Sequence, residues 1–325
     1  MEHPRDLRVQ KLTAYGAALA MLPYLLIKIV WTLDGLLGGG LDQGVWEDLN
    51  WAQVNGLTVV MAAVGITLAL MLAQRWGTRV PTWMVALPAW IGMGFLVPVL
   101  TMVISTAPFQ SAPEATDPGA ELPTWEAVLI AVAFAGTGLG LAIAFPLYAR
   151  RRWPEAFRGA MSDAPEGAGS TRQLQVVLAR RAMTVVVLLG LVQAYWAVGG
   201  TVGLETDQLG LRDARWHITV ANSAVWALIA AWGIWALTHR RTRLRFWVPS
   251  LLTWVSSGSL FAWGAWKGLF TAAVPPDVPE HPFALAAVNQ LSTMAGVVIG
   301  LTLLLVLHDR RSHLDDRQCA VVVNR

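Results

Sequence analysis

Residues 125–152 read WEAVLIAVAFAGTGLGLAIAFPLYARRR. Between Glu126 and Arg150 the stretch carries no charge, and it ends on three arginines. It is far too long for a strand, and no period-2 alternation marks a barrel. A helix crosses the hydrocarbon of a bilayer with about 20 apolar residues. The stretch therefore predicts a transmembrane helix with a basic end. Its GTGLG segment is superficially like a dinucleotide-binding loop, but it sits inside the apolar run with no strand before it. Gly136 and Gly140, four apart, instead let a second helix backbone come close.

Seven further runs of the same kind occur, at 12–33, 52–73, 83–104, 182–202, 217–238, 246–270 and 283–307. The whole chain of 325 residues is 55% hydrophobic and only 14% charged, with mean hydropathy +0.50. A soluble domain carries about a quarter charged residues, so the missing charge predicts lipid as the solvent. The first run is too long, and is followed by the wrong pattern, for a cleaved signal peptide.

The charges orient the helices. Twenty of the 24 Lys and Arg residues fall on every second connection and on the termini, as in QRWGTR and HRRTRLR. The alternate connections are acidic, as in SAPEATDPGAELP and VPPDVPEHP, with Arg212 and Arg215 their only Lys or Arg residues. Lys28 and Lys267 lie in the spans. Positive charge is retained in the cytoplasm, so both termini are expected inside. Arginines clustered at helix ends explain the pI near 9.3 without nucleic acid as a partner. The single cysteine, Cys319, allows no internal disulfide.

The chain also repeats itself. IKIVWTLDGLLGG at 27–39 matches VQAYWAVGGTVGL at 192–204, aligning Trp31 with Trp196 and Lys28 with Gln193. Asn55 pairs with Asn222, Trp90 with Trp254, and Gly136 with Gly296, in the same order and at nearly one separation. Four spans per copy return the chain to its starting side, so the copies should share one orientation. The expected architecture is an all-α integral membrane protein of eight transmembrane helices in two tandem four-helix repeats. Residues 1–149 form the first repeat, 150–181 a cytoplasmic linker around SDAPEGAGS, 182–308 the second repeat, and 309–325 a cytoplasmic tail.

Polar groups inside spans are costly, about 2.5–3.5 kcal/mol for a charge at the centre, and they mark candidate sites. Lys28 lies in the outer third of helix 1, and Asp34 at its outer end. Asn55 begins helix 2, Gln193 is in helix 5, His217 and Asn222 begin helix 6, Lys267 ends helix 7, and Asn289 is in the outer half of helix 8. Two readings of Lys28 stand. Its stem can lie along lipid with the head in the outer headgroups, or the ammonium can turn inward to acceptors such as Asn55 or Asn222. The shared position with Gln193, which has no charge to bring to the surface, favours the inward reading. Asp34 lies about 120° around the helix from Lys28 and is poorly placed as its direct partner. Trp31 and Trp196 occupy matching positions, and either pack the core or line a cavity.

No H-E-x-x-H, paired-cysteine, nucleophile-elbow or P-loop motif occurs, so neither cofactor nor metal is expected. The W-x-x-G-G end of helix 5 (Trp196, Gly199, Gly200) resembles that of small uncharacterised bacterial membrane proteins. The first copy departs from it, with Asp34 where the second has Gly199. The resemblance implies a multi-pass protein of the bacterial inner membrane and no reaction.

The leading expectation is an outward-facing polar pocket between the repeats that binds or moves a small solute. Lys28, Trp31, Asn55, Gln193, Trp196, Asn222 and Asn289 would line it, with Asp34, His217 and Lys267 nearby. Its constant partner is the lipid bilayer. One rival is a membrane-embedded enzyme on a lipid-like substrate, using His217, Asp34 or His281. Another is a non-catalytic scaffold whose polar groups only pack helices.

Overall fold

The computed structural model describes residues 4–38, 51–109, 124–157, 159, 161, 171–204, 209–210, 212–239, 244–272 and 283–323. Most of the acidic connections, His281 and the SDAPEGAGS segment lie outside the described residues. Among the described residues eight long helices follow one another: α1 Pro4–Leu37, α2 Trp51–Ala73, α3 Thr82–Thr106, α4 Thr124–Arg152, α5 Arg172–Ala197, α6 Ala214–His239, α7 Trp247–Ala272 and α8 Phe283–Val323. Short 3₁₀ turns occupy Arg75–Thr78, Ala107–Phe109 and Pro154–Ala156.

Among the described residues, seven of these helices are long and apolar enough to cross a membrane. The exception is α7, whose apolar character is diluted by Ser250, Thr253, Ser256, Ser257 and Ser259, all of them buried. The outward surface is apolar too: Leu12, Leu19, Leu26 and Leu33 of α1 are 72%, 69%, 56% and 52% exposed. Soluble monomers rarely present large contiguous apolar surface to water. Outward leucines and inward hydroxyls suit a hydrocarbon solvent.

The helices outrun the apolar stretches. α1 begins at Pro4, a residue suited to a first turn because it needs no N–H partner. α5 begins at Arg172 and ends at Ala197, and α8 continues to Val323. Once a helix is nucleated, each added residue gains a backbone hydrogen bond at little entropic cost, so polar ends extend it.

The chain divides into two compact units. One comprises Met1–Tyr148 with Leu269–His281, the other Ala149–Gly268 with Pro282–Arg325. In the first unit, Gln10 Nε2 donates to the Leu72 carbonyl at 2.6 Å and ties α1 to α2. Thr137 donates to the Ala17 carbonyl at 3.1 Å and ties α4 to α1. A Cβ on Gly140 would lie 2.6 Å from the Thr13 carbonyl oxygen and 2.7 Å from the Ala17 Cβ, and one on Gly136 2.7 Å from the Ala20 Cβ. Only glycine permits this approach. Met21, Tyr24, Ala62 and Ala133 form a buried cluster beside it.

In the second unit, Ala179, Ala182 and Val186 of α5 pack with Ala227, Ala230 and Ile234 of α6 and with Leu260, Ala295 and Ile299. A Cβ on Gly264 would lie 2.6 Å from the Asn289 carbonyl oxygen, and one on Gly296 2.6 Å from that of Ser257, so α7 and α8 touch through glycines. Asp309 is buried rather than solvated, and accepts from Gln175 Nε2 at 2.8 Å and from the Thr171 hydroxyl at 3.0 Å. Met161, between α4 and α5, is 1% exposed and packs on Leu237, Phe246, Leu303 and Val306.

Candidate functional site

The buried residues of α1 are Gln10, Ala14, Ala17, Ala18, Met21, Tyr24 and Trp31. Apart from Ala18 they recur at alternating steps of four and three, the spacing of one helix face. The next step after Tyr24 on that stripe is Lys28, so the ammonium is carried inward by the same register that buries Trp31. Lys28 Nζ donates to Asn55 Oδ1 at 2.8 Å. It also stands 4.0 Å from the centroid of the Trp31 ring and 5.6 Å from that of Tyr24. Trp31 and Tyr24 are three and four residues away on one face, which brings both rings to the charge.

Asn55, 1% exposed, sits in the second turn of α2. Its carbonyl accepts from the Thr58 hydroxyl at 2.7 Å, and the Thr58 side chain interacts with the Tyr24 phenol. Thr32 donates back to the Lys28 carbonyl at 2.7 Å. The carboxylate of Glu126, in the first turn of α4, acts on the ammonium through space. A half-buried cation is thus held by an amide oxygen, an indole face and a more distant acid. Asp34, half-buried, lies on the same helix beyond this cluster.

The second unit carries the remaining candidates. α5 ends in a paired turn: Gly199 N–H donates to Trp196 O at 3.1 Å and Gly200 N–H to Tyr195 O at 2.9 Å. Gly199 adopts φ +108, which L side chains rarely adopt. The last carbonyls of α5 receive basic side chains. Arg212 Nη2 donates to Trp196 O at 3.0 Å, and His217 Nδ1 lies 2.9 Å from Ala197 O. Since a carbonyl only accepts, Nδ1 carries the proton, and in neutral His217 the acceptor nitrogen is Nε2. Trp196 is buried and donates Nε1–H to Val202 O at 2.9 Å. Gln193, on the same face one turn earlier, is 7% exposed, and its Oε1 is buried with no hydrogen-bond partner among the described residues.

Lys28, Trp31 and Asn55 therefore meet in the first unit, while in the second Arg212 and His217 bond successive carbonyls, those of Trp196 and Ala197, at the end of α5. Asn222 is half-buried in α6. Asn289 is buried, with its carbonyl against Gly264 and accepting from Thr293 at 2.9 Å. Lys267 is exposed. Sequence reasoning passed over Tyr24, Arg212, Gln10 and Gln175. The glutamines lie as far apart in the chain as Lys28 and Gln193, and Arg212 stood out as a basic residue on an acidic connection, so signals for them were present. Among the described residues no group of three or more His, Cys, Asp or Glu side chains could hold a metal ion. Compared with protein-family models, with curated proteins and with solved structures, the chain matches none of them.

Proposed function

We propose that the chain is a bacterial inner-membrane protein of two tandem four-helix repeats, both termini cytoplasmic, that binds or moves a small solute through Lys28 and Asn55. The repeat reading is supported by burial: Gln175, Ala179, Ala182, Val186, Leu189 and Trp196 of α5 each lie 165 positions after a buried residue of α1. The orientation reading is supported by the alternation of Arg-rich and acidic connections.

The single observation that carries the solute reading is the Lys28 ammonium, 2.8 Å from Asn55 Oδ1 and against the Trp31 ring. An ammonium has three donors. Asn55 takes one, so the group retains capacity for an acceptor or anionic group arriving from outside. The chain in nanodiscs should bind at least one member of a panel of small carboxylates and phosphates saturably, and Lys28→Met should abolish that binding. Binding unchanged in Lys28→Met, or none to any member, would remove the proposal.

A second reading has its own support. The Lys28–Asn55 bond joins α1 to α2, as interhelical polar bonds do in scaffolds, at about 0.6–2 kcal/mol each. On that reading Lys28→Met lowers stability and changes the binding of no solute. His217, the residue an enzyme reading would use, has Nδ1 engaged on the end of α5, which supports a capping role.

A further inference from the structure

The second unit has a different polar residue where the first has its lysine, and the consequences differ. Gln193 is more than nine-tenths buried, and its side-chain oxygen meets no donor among the described residues. In a span this is expensive, because hydrocarbon offers the carbonyl nothing, and an unsatisfied buried acceptor costs about 1–3 kcal/mol. The neighbourhood is built rather than loose. On one side of Gln193, Ala197 O is bound by His217. On the other, a Cβ on Gly190 would lie 3.1 Å from Leu228 Cδ2, so α5 and α6 are in contact there. Gln193 therefore lies in the α5–α6 seam, one turn below the basic cap.

We infer that the end of α5 in the second unit is a binding site for a small neutral solute bearing N–H or O–H donors, such as an amide, a urea or a polyol. Gln193 Oε1 is the first acceptor and His217 Nε2 the second. The two acceptors call for donors on the solute, and Arg212 Nε, buried with no partner among the described residues, calls for an acceptor such as a carbonyl or hydroxyl oxygen beside them. The Arg212 guanidinium, fixed on Trp196 O and 4.8 Å from the Trp216 ring centroid, selects against cations. Trp216, edge-on to His217 with ring centroids 5.2 Å apart, is the aromatic ring beside the second acceptor. This site is independent of Lys28, so the two proposals stand or fall separately.

The test is saturation-transfer NMR on the full chain in nanodiscs, with acetamide, urea, glycerol and methylammonium as probes. At least one of the three neutral probes should receive saturable transfer, and methylammonium should receive less. Gln193→Met should weaken binding about tenfold, the size of one good hydrogen bond. His217→Ala should weaken it as well, with helicity by circular dichroism unchanged in both variants. Leu19→Met, on the exposed face of α1, should leave it as it was. Absence of transfer to all three neutral probes, methylammonium binding best, or equal binding in Gln193→Met would overturn the assignment.

Discussion

In α1 the buried stripe runs through Gln10, Ala14, Ala17, Met21, Tyr24 and Trp31; in α5 it runs through Gln175, Ala179, Ala182, Val186, Leu189 and Trp196. Small residues, then large ones, then tryptophan follow the same steps. One position separates them in chemistry. Lys28 brings a donor into its stripe and finds the Asn55 oxygen, whereas Gln193 brings an oxygen that finds no donor among the described residues. A shared register decides where a polar group points. Its own hydrogen-bonding sense then decides whether the neighbours satisfy it.

The comparison can be broken most forcefully at its packing. Gly140→Val would drive a branched side chain into the Thr13 carbonyl and Ala17 Cβ, neither of which can swing aside. We expect a loss of about 3 kcal/mol or more, read as failure to recover folded protein in detergent. If Gly140→Val melts like the parent, the close contact of α1 with α4 is wrong.

Next in size is the polar pair. Asn55→Leu leaves the Lys28 ammonium without its acceptor and should cost about 2 kcal/mol. A double-mutant cycle with Lys28→Met should give a coupling of about 1 kcal/mol. Coupling near zero in denaturation titrations would mean that the two side chains do not meet. Gly199→Ala, which forces an L side chain to φ +108, should cost about 1 kcal/mol in the same titrations; no change would place the α5 terminus elsewhere.

The smallest effect sharpens the comparison most. Gln193→Met removes an unsatisfied acceptor at nearly constant volume but also the amide N–H donors, so without solute it should be neutral or mildly stabilising, the about 1–3 kcal/mol relieved being offset by those lost donors. Lys28→Met, at the matching position, should destabilise. Equal losses at both positions would show that Gln193 is satisfied after all.

Much of this was legible in the sequence. Long apolar runs with few charges read as helices, so all eight helices could be placed, although only seven are apolar enough among the described residues to cross a membrane. Their ends could not. Arg172 and the residues after Leu307 continue their helices because backbone hydrogen bonding, not apolarity, sets where a helix stops. Asp309 looked like part of a solvated tail, and the bonds to Gln175 and Thr171 that bury it depend on a partner helix over 130 residues away. Lys28 left two directions open because helical periodicity names faces without saying which one is inward. Trp31 and Gln193 hinted at the answer, and the Asn55 contact supplied it.

Lys28 turned into its own unit is the claim on which the rest depends. The chain has three lysines, Lys11, Lys28 and Lys267, so lysine Nζ labelling gives a simple solid-state NMR spectrum in lipid bilayers. The direct measurement is the dipolar coupling between 15Nζ of Lys28 and 13Cγ of Asn55. The account predicts a strong coupling, consistent with Nζ 2.8 Å from Asn55 Oδ1, that disappears in Asn55→Leu. A Lys28 signal coupled only to lipid phosphate would contradict it.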